Sequence, residues 1–274
     1  MVLPCVVIMV SLAILPLVYE LVLSFHQWFL ASGEGWIFNY GLNYIEVITD
    51  SGFQAASYNT LIIGGLSLAL EFTIGLTFAL ILNRKIKGRS LLVALLSCPM
   101  MLIPVMVGHL WHLMYFRGPI NTIVKGVLGY SILWFEDPLA AKMANVFANA
   151  WEWAPFTMLI LLAGFTAIPV SLYEAAQIDG ASSWETFRRI TVPMARPLIV
   201  LCLLIRGMEQ VKLFDVVFLV TGGGPGTETE TITLYIFRHA FEYLDMGRSA
   251  AASFIVLFVV TIIVTALISY TYRK

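Results

Sequence analysis

The sequence predicts an all-α integral membrane protein with six transmembrane helices. Three observations carry this. Of its 274 residues, 59% are hydrophobic and 12% charged, whereas a soluble globular domain averages about 25% charged. Mean hydropathy is +0.87. The apolar residues also gather into six stretches, 2–24, 59–82, 90–114, 143–168, 197–220 and 248–271. Each has the length a helix needs to cross the hydrocarbon core, about 20 residues.

The first stretch has no positive n-region and no clear small-x-small cleavage site, so it reads as a retained helix rather than a secretory signal. In the loop after it, Trp28, Trp36, Tyr40 and Tyr44 suit an interfacial belt, as do Trp134 and Phe135 further on. Span two carries Glu71 near its middle. Pro99 and Pro104 interrupt span three and Pro155 interrupts span four. Proline lacks the backbone donor, so both helices should kink. Trp151-Glu152-Trp153 lies near the outer end of span four.

Charge orients the chain. Arg84, Lys85, Lys87 and Arg89 crowd the second loop; Arg188, Arg189 and Arg196 lie in the fourth; Arg273 and Lys274 end the chain. The opposite loops carry mainly acids: Glu34, Glu46, Asp50, Glu136, Asp137, Glu228, Glu230, Glu242 and Asp245. Their bases are fewer, Arg117, Lys125, Lys142, Arg238 and Arg248. By the positive-inside rule the even loops and both termini are cytoplasmic.

Several chemistries are excluded. A net charge of −1 argues against a nucleic-acid partner. Cys5, Cys98 and Cys202 lack paired spacing and read as small buried apolar side chains. His26, His109, His112 and His239 form no two-His helical zinc motif, so no metal is expected. The glycine run 221–226 lacks the Lys-Ser/Thr of a phosphate loop, and no Ser-His-Asp arrangement stands out. The chain is therefore not expected to be an enzyme.

The fourth loop, SLYEAAQIDGASSWETFRRITVPMAR at 171–196, is strongly patterned. Ser171 and Glu174 have capping-box spacing, and so do Ser182 and Glu185. Gly180 suits the left-handed residue that ends a helix, and Pro193 disfavours helix before it. Two short helices joined at a glycine are expected. Leu172, Ala175, Ala176, Ile178, Phe187 and Ile190 either dock into another protein or lie on lipid.

The segment EAAQIDGASSWETFRRITVP resembles the EAA motif of permease subunits of binding-protein-dependent ABC importers. The matching positions are Glu174, Ala175, Ala176, Asp179, Gly180, Ala181, Ile190 and Pro193, with Val192 in place of the usual Leu. GLNYIEVITD at 41–50, FRGPINTIVKGVLG at 116–129 and LFDVVFLVTGGGPGTETET at 213–231 resemble segments of maltose-type and multiple-sugar permeases. The resemblance implies a type I importer permease fold, one transmembrane domain over 1–274, and a coupling elbow at 171–193 that sits in a cleft of the ATPase. It implies two ABC ATPase subunits that carry ATP and Mg, with no cofactor on this chain. It also implies a second permease chain, an external solute-binding protein or lipoprotein, a carbohydrate substrate, and a bacterial or archaeal cytoplasmic membrane.

Polar residues inside the spans are the candidate path. Arg206, Glu209, Gln210 and Leu213 fall at helical spacing on one face of span five. Arg206 can pair with Glu209, and Glu209 with Lys212; Glu71 is a further candidate partner for Arg206 or Lys212. This face is either a structural ion-pair cluster or, as the resemblance implies, part of the sugar path. His109, Trp111, His112 and Tyr115 in span three form either a sugar-binding wall or an aromatic belt. The leading expectation is a carbohydrate importer subunit. A polyol or glycerol-phosphate-type importer permease and an ion-coupled secondary transporter are the alternatives, though the inverted repeats usual in the latter are not seen.

Overall fold

The computed structural model describes residues 3–33, 35–84, 86–116 and 118–272. Glu34, Lys85, Arg117, Arg273 and Lys274 lie outside the described residues. The expected all-α class holds. Helix α1 (Leu3–Ser24) leads into a two-residue antiparallel ladder, β1 (His26–Gln27) with β2 (Ile37–Phe38). Then come α2 (Leu42–Thr49), α3 (Ser51–Leu82), α4 (Arg89–Ser97), α5 (Pro104–Phe116), α6 (Pro119–Leu128) and α7 (Pro138–Thr166). The chain continues through α8 (Val170–Ile178), α9 (Ser183–Thr186), α10 (Val192–Val211), α11 (Asp215–Val220), α12 (Ile232–Phe237) and α13 (Met246–Tyr272).

Among the described residues, five helical runs are long and apolar enough to cross a membrane: α1, α3, α7, the run Ser183–Val211, and α13. The third expected span is in two pieces, α4 and α5, joined by a tight turn at Pro99–Met101 and extended backbone at Leu102. Pro99 and Pro104 bring no N–H there, and the helix breaks between them. Pro155 does not interrupt span four, contrary to expectation. Helix α7 runs through it, with Glu152, Ala154, Thr157 and Met158 buried around it. Packing on both sides outweighs the one lost donor. Span five also departs from 197–220: its helix begins at Ser183, stops at Val211, and residues 215–220 form the separate α11.

The chain forms two compact units, residues 1–58 with 230–274, and residues 59–229. In the first, α13 packs along α1 and α2. Val47, Phe53, Ala56, Tyr235, Ala251 and Ala252 make its core. Asp50 ties this unit together. Its carboxylate accepts from the Gly52 N–H at 3.1 Å, the Tyr235 hydroxyl, and Arg248 Nη2 at 2.8 Å. Burial opposes its ionisation, but these three donors outweigh burial and hold the carboxyl below the ordinary range.

In the second unit α3, α7 and α10 close on one another. Ala79, Leu82, Met158, Leu161, Phe165 and Ala195 form a shared core. At Gly75 a Cβ would stand 2.7 Å from Thr157 Cβ and 2.9 Å from the Ala154 carbonyl. Only a glycine lets α3 approach α7 this closely. Of the cysteines, Cys202 is buried as expected, whereas Cys5 and Cys98 face outward. On a membrane helix the outward face meets lipid, so an apolar run does not imply packing inside the protein.

Gly75→Leu should wedge α3 from α7. Overpacking of this kind costs about 1–3 kcal/mol. Thermal unfolding of the detergent-purified protein should show a clearly lower midpoint. Gly65→Leu is the control, because nothing lies within 4 Å of a Cβ at Gly65. Equal midpoints for the two variants would refute the close approach as a stabilising contact.

Candidate functional site

Three helices bring a polar cluster into the interior of the second unit. Glu71 on α3 is fully buried, and its carboxylate accepts from Arg206 Nε at 2.8 Å and Nη2 at 3.1 Å. Thr157 Oγ1 of α7 donates to the same carboxylate at 2.8 Å. Gln210 donates to it at 3.4 Å and to Asn149 Oδ1 at 3.1 Å. The Arg206 guanidinium also lies 4.3 Å from the centre of the Trp153 ring. A fork-to-fork ion pair with its remaining lone pairs filled is how a bilayer interior tolerates charge.

Glu71 is thus the partner of Arg206. The expected Arg206–Glu209 pair is absent, because Arg206 turns inward while Glu209 faces outward and binds Lys212 at 2.7 Å. Of the expected common face, Arg206, Glu209 and Leu213 line one small cavity, while Gln210 is buried against Asn149 and Leu213 lies beyond the end of α10.

Beside the pair is a small cavity of about 130 Å³, lined among others by Asn149, Glu152, Trp153, Arg206, Leu213 and Asp215. A larger cavity of about 600 Å³ has mainly apolar walls, including Trp111, Tyr115, Trp134 and Trp151. Trp111 stands 5.4 Å from Tyr115 and 5.7 Å from Trp151, ring centre to ring centre. Tyr115 packs 4.6 Å from Trp134, which is buried rather than part of an interfacial belt. The other two residues of that expected wall lie elsewhere. His109 is on the outer surface. His112 Nδ1 is 2.8 Å from the Val220 carbonyl and its ring stacks on Phe135 at 4.8 Å, so it fastens α5 to the end of α11. Asn149 and Thr157 were not singled out from the sequence. With Trp153 they recur at every fourth residue of α7, a polar stripe in an apolar helix that could have marked them.

The fourth loop forms the expected elbow, with two corrections. Helix α8 begins at Val170 after Pro169, without a side-chain cap, so Ser171 and Glu174 form no capping box. Pro169 sets the entry and Ser171 is already helical. Gly180 has φ +74°, Ala181 N–H donates to the Ala176 carbonyl at 2.9 Å, and Gly180 N–H to the Gln177 carbonyl at 3.1 Å. This double closure ends α8 at Asp179, which caps it. Ser182 and Glu185 do form a reciprocal box, with Glu185 N–H to Ser182 Oγ at 3.2 Å and Ser182 N–H to Glu185 Oε2 at 2.9 Å.

The second correction concerns Pro193. Thr191 and Val192 are helical, and five residues of π-helix, Phe187–Thr191, carry the chain straight into α10. The wider turn shifts the carbonyl that the proline ring would otherwise meet. The second limb of the elbow is therefore the foot of span five. Tyr173 Oη lies 3.2 Å from Thr191 Oγ1 and links the two limbs. Glu174, Ala175, Asp179 and Pro193 are exposed, Ala181 and Ile190 half-buried, and Ala176 buried. Val170, Ile178 and Trp184 are 68%, 86% and 66% exposed, an apolar tip on a rigid corner.

Known proteins share this architecture. Residues 71–273 match the family described as binding-protein-dependent transport system inner membrane component. The trehalose/maltose transport system permease protein MalF of Thermococcus litoralis is 37% identical over 231 residues, 83% of this chain and 77% of its own. The sulfoquinovosyl glycerol transport system permease protein SmoG of Agrobacterium fabrum is 31% identical, over 96% of this chain and 86% of its own. A bacterial ABC transporter involved in the import of the acidic polysaccharide alginate contains a chain with TM-score 0.85 and 26% identity, covering 100% of this chain and 94% of that one. The family match spans well over half the sequence, and on it this chain belongs to the inner-membrane components of binding-protein-dependent transport systems.

Proposed function

We propose that this chain is the membrane-spanning subunit of an ATP-driven importer that carries a carbohydrate delivered by an external solute-binding protein or lipoprotein. The observation that carries the reading is the near full-length likeness to permeases named for trehalose, maltose and lactose transport. The larger cavity agrees with it: aromatic faces at Trp111, Tyr115 and Trp151 suit the C–H faces of sugars. The elbow 171–193 is on the cytoplasmic side with both termini, in the inner membrane. Two ATPase subunits hold ATP and Mg and take the elbow's apolar tip into a cleft. A second permease chain completes the pathway. Closure of the ATPases moves α8, and the continuous run Ser183–Val211 transmits that motion to Arg206 and Gln210.

Three outcomes test this. The purified chain alone should not be photolabelled by an ATP analogue; specific labelling would contradict a separate ATPase. In the full complex, Trp111→Ala should reduce sugar uptake about tenfold, roughly 1.4 kcal/mol, while assembly and basal ATP hydrolysis persist. Wild-type uptake would move the path away from this wall. Gly180→Val forces a β-branched residue into a left-handed backbone, at about 1–2 kcal/mol. It should lower ATPase-subunit retention on purification, together with uptake and sugar-stimulated hydrolysis. Full retention with normal import would remove the elbow as the coupling element.

A further inference from the structure

Two sets of cations behave differently. Lys142, Arg238 and Arg248, from the loops rich in acids, pair with Glu228, Glu230 and Asp50 respectively. Arg84, Lys87, Arg89 and Arg196 pair with no acid among the described residues. Their own segments supply none, since the sequence has no acid from Phe72 to Phe135 or from Thr186 to Met208. Leu82 of α3 and Ala195 of α10 belong to one core, so the loop after α3 and the foot of α10 lie at the same end of the second unit. Arg84, Lys87 and Arg196 are exposed there, and Arg89 is half-buried at the start of α4. Next to the cations the helices turn apolar side chains outward. Leu91 and Leu95, one turn apart on α4, are 64% and 59% exposed, and Ile81 and Leu201 are exposed on α3 and α10. Side chains on a helix lean toward its N-terminus, so Arg89 reaches away from that apolar face.

We propose that Arg84, Lys87, Arg89 and Arg196 bind the headgroup of an anionic phospholipid of the inner leaflet, with an acyl chain along Leu91 and Leu95. This rests on the cytoplasmic placement of the elbow's end of the chain in the reading above. Charge selects the lipid class. Each Lys or Arg near an anionic leaflet strengthens attachment about fivefold, whereas the choline of a zwitterionic headgroup cancels its phosphate. Arg188 and Arg189 lie nearer the elbow tip, in the π-helical turn, and are not part of the site. A lipid held here touches both the loop after α3 and the foot of the run Ser183–Val211.

The test uses the complete transporter in neutral detergent. It is titrated with phosphatidylglycerol, with phosphatidylcholine of the same acyl chains, and with inorganic phosphate. The thermal midpoint should rise with phosphatidylglycerol alone. Replacing Arg84, Lys87 and Arg89 together by glutamine should raise the concentration for half that rise at least about tenfold. Arg84→Lys with Arg89→Lys keeps the charges and should stay within about threefold. Lys142→Gln, which removes a paired cation, should leave the half-point unchanged. If the triple variant fails to assemble, Arg84→Gln and Arg89→Gln are read singly, each with a shift of about fivefold. An equal rise with phosphatidylcholine leaves only the apolar face as a lipid contact and overturns the charge site. A rise with inorganic phosphate makes it an ion site and overturns the lipid. An unshifted half-point in the glutamine variants overturns these residues, and if those variants also shed the ATPase subunits, the face belongs to the ATPase. The placement is tested apart from the lipid. Lys87→Cys should react with a membrane-impermeant maleimide, above the level of the unchanged chain, in inverted vesicles and not in spheroplasts. Reaction in spheroplasts overturns the cytoplasmic placement and with it the inner leaflet, whatever the titration gives.

Discussion

The Glu71–Arg206 pair is the constraint around which the larger unit is organised. Each charge alone inside a bilayer would cost about 2.5–3.5 kcal/mol on insertion scales. Together they sit on α3 and α10 at 2.8 Å, with Thr157 of α7 filling a further lone pair. One carboxylate thereby specifies the relative rotation of three helices. Close approach at Gly75 does the rest, since a longer distance between α3 and α7 would leave Thr157 out of reach of Glu71. Apolar packing between membrane helices cannot choose a rotation so sharply, because lipid is as apolar as leucine.

The same pair gives the site its character. Arg206 is neutralised from behind, so it does not present a free cation to the small cavity. Gln210 and Asn149 are oriented by the pair and by each other. The larger cavity has aromatic walls, and Trp111, Tyr115 and Trp151 are held by mutual ring contacts.

The elbow is stiff by local means. A left-handed glycine closes α8, a reciprocal Ser182–Glu185 box opens the next helix, and Tyr173 meets Thr191 across the corner. The second limb passes through Phe187–Thr191 into α10 without a break, so Trp184 and Val211 belong to one rod. That rod ends where the ion pair and the small cavity begin.

Much of this was legible in the sequence. Composition and six apolar stretches determined the membrane class, because lipid leaves backbone groups no partners except those inside a helix. The elbow was readable residue by residue at Gly180, Ser182 and Glu185, since caps and left-handed closures depend on neighbours in sequence. Glu71 was visible as a buried charge in need of a cation. Which cation it found was decided only by tertiary structure, as were the outward turn of Glu209, the separation of His112 from Trp111 and Tyr115, and the burial of Glu152. Those choices depend on the rotation of each helix and on the break at 212–214. Neither is encoded in the spacing of one segment, because each is settled by what the facing helix presents.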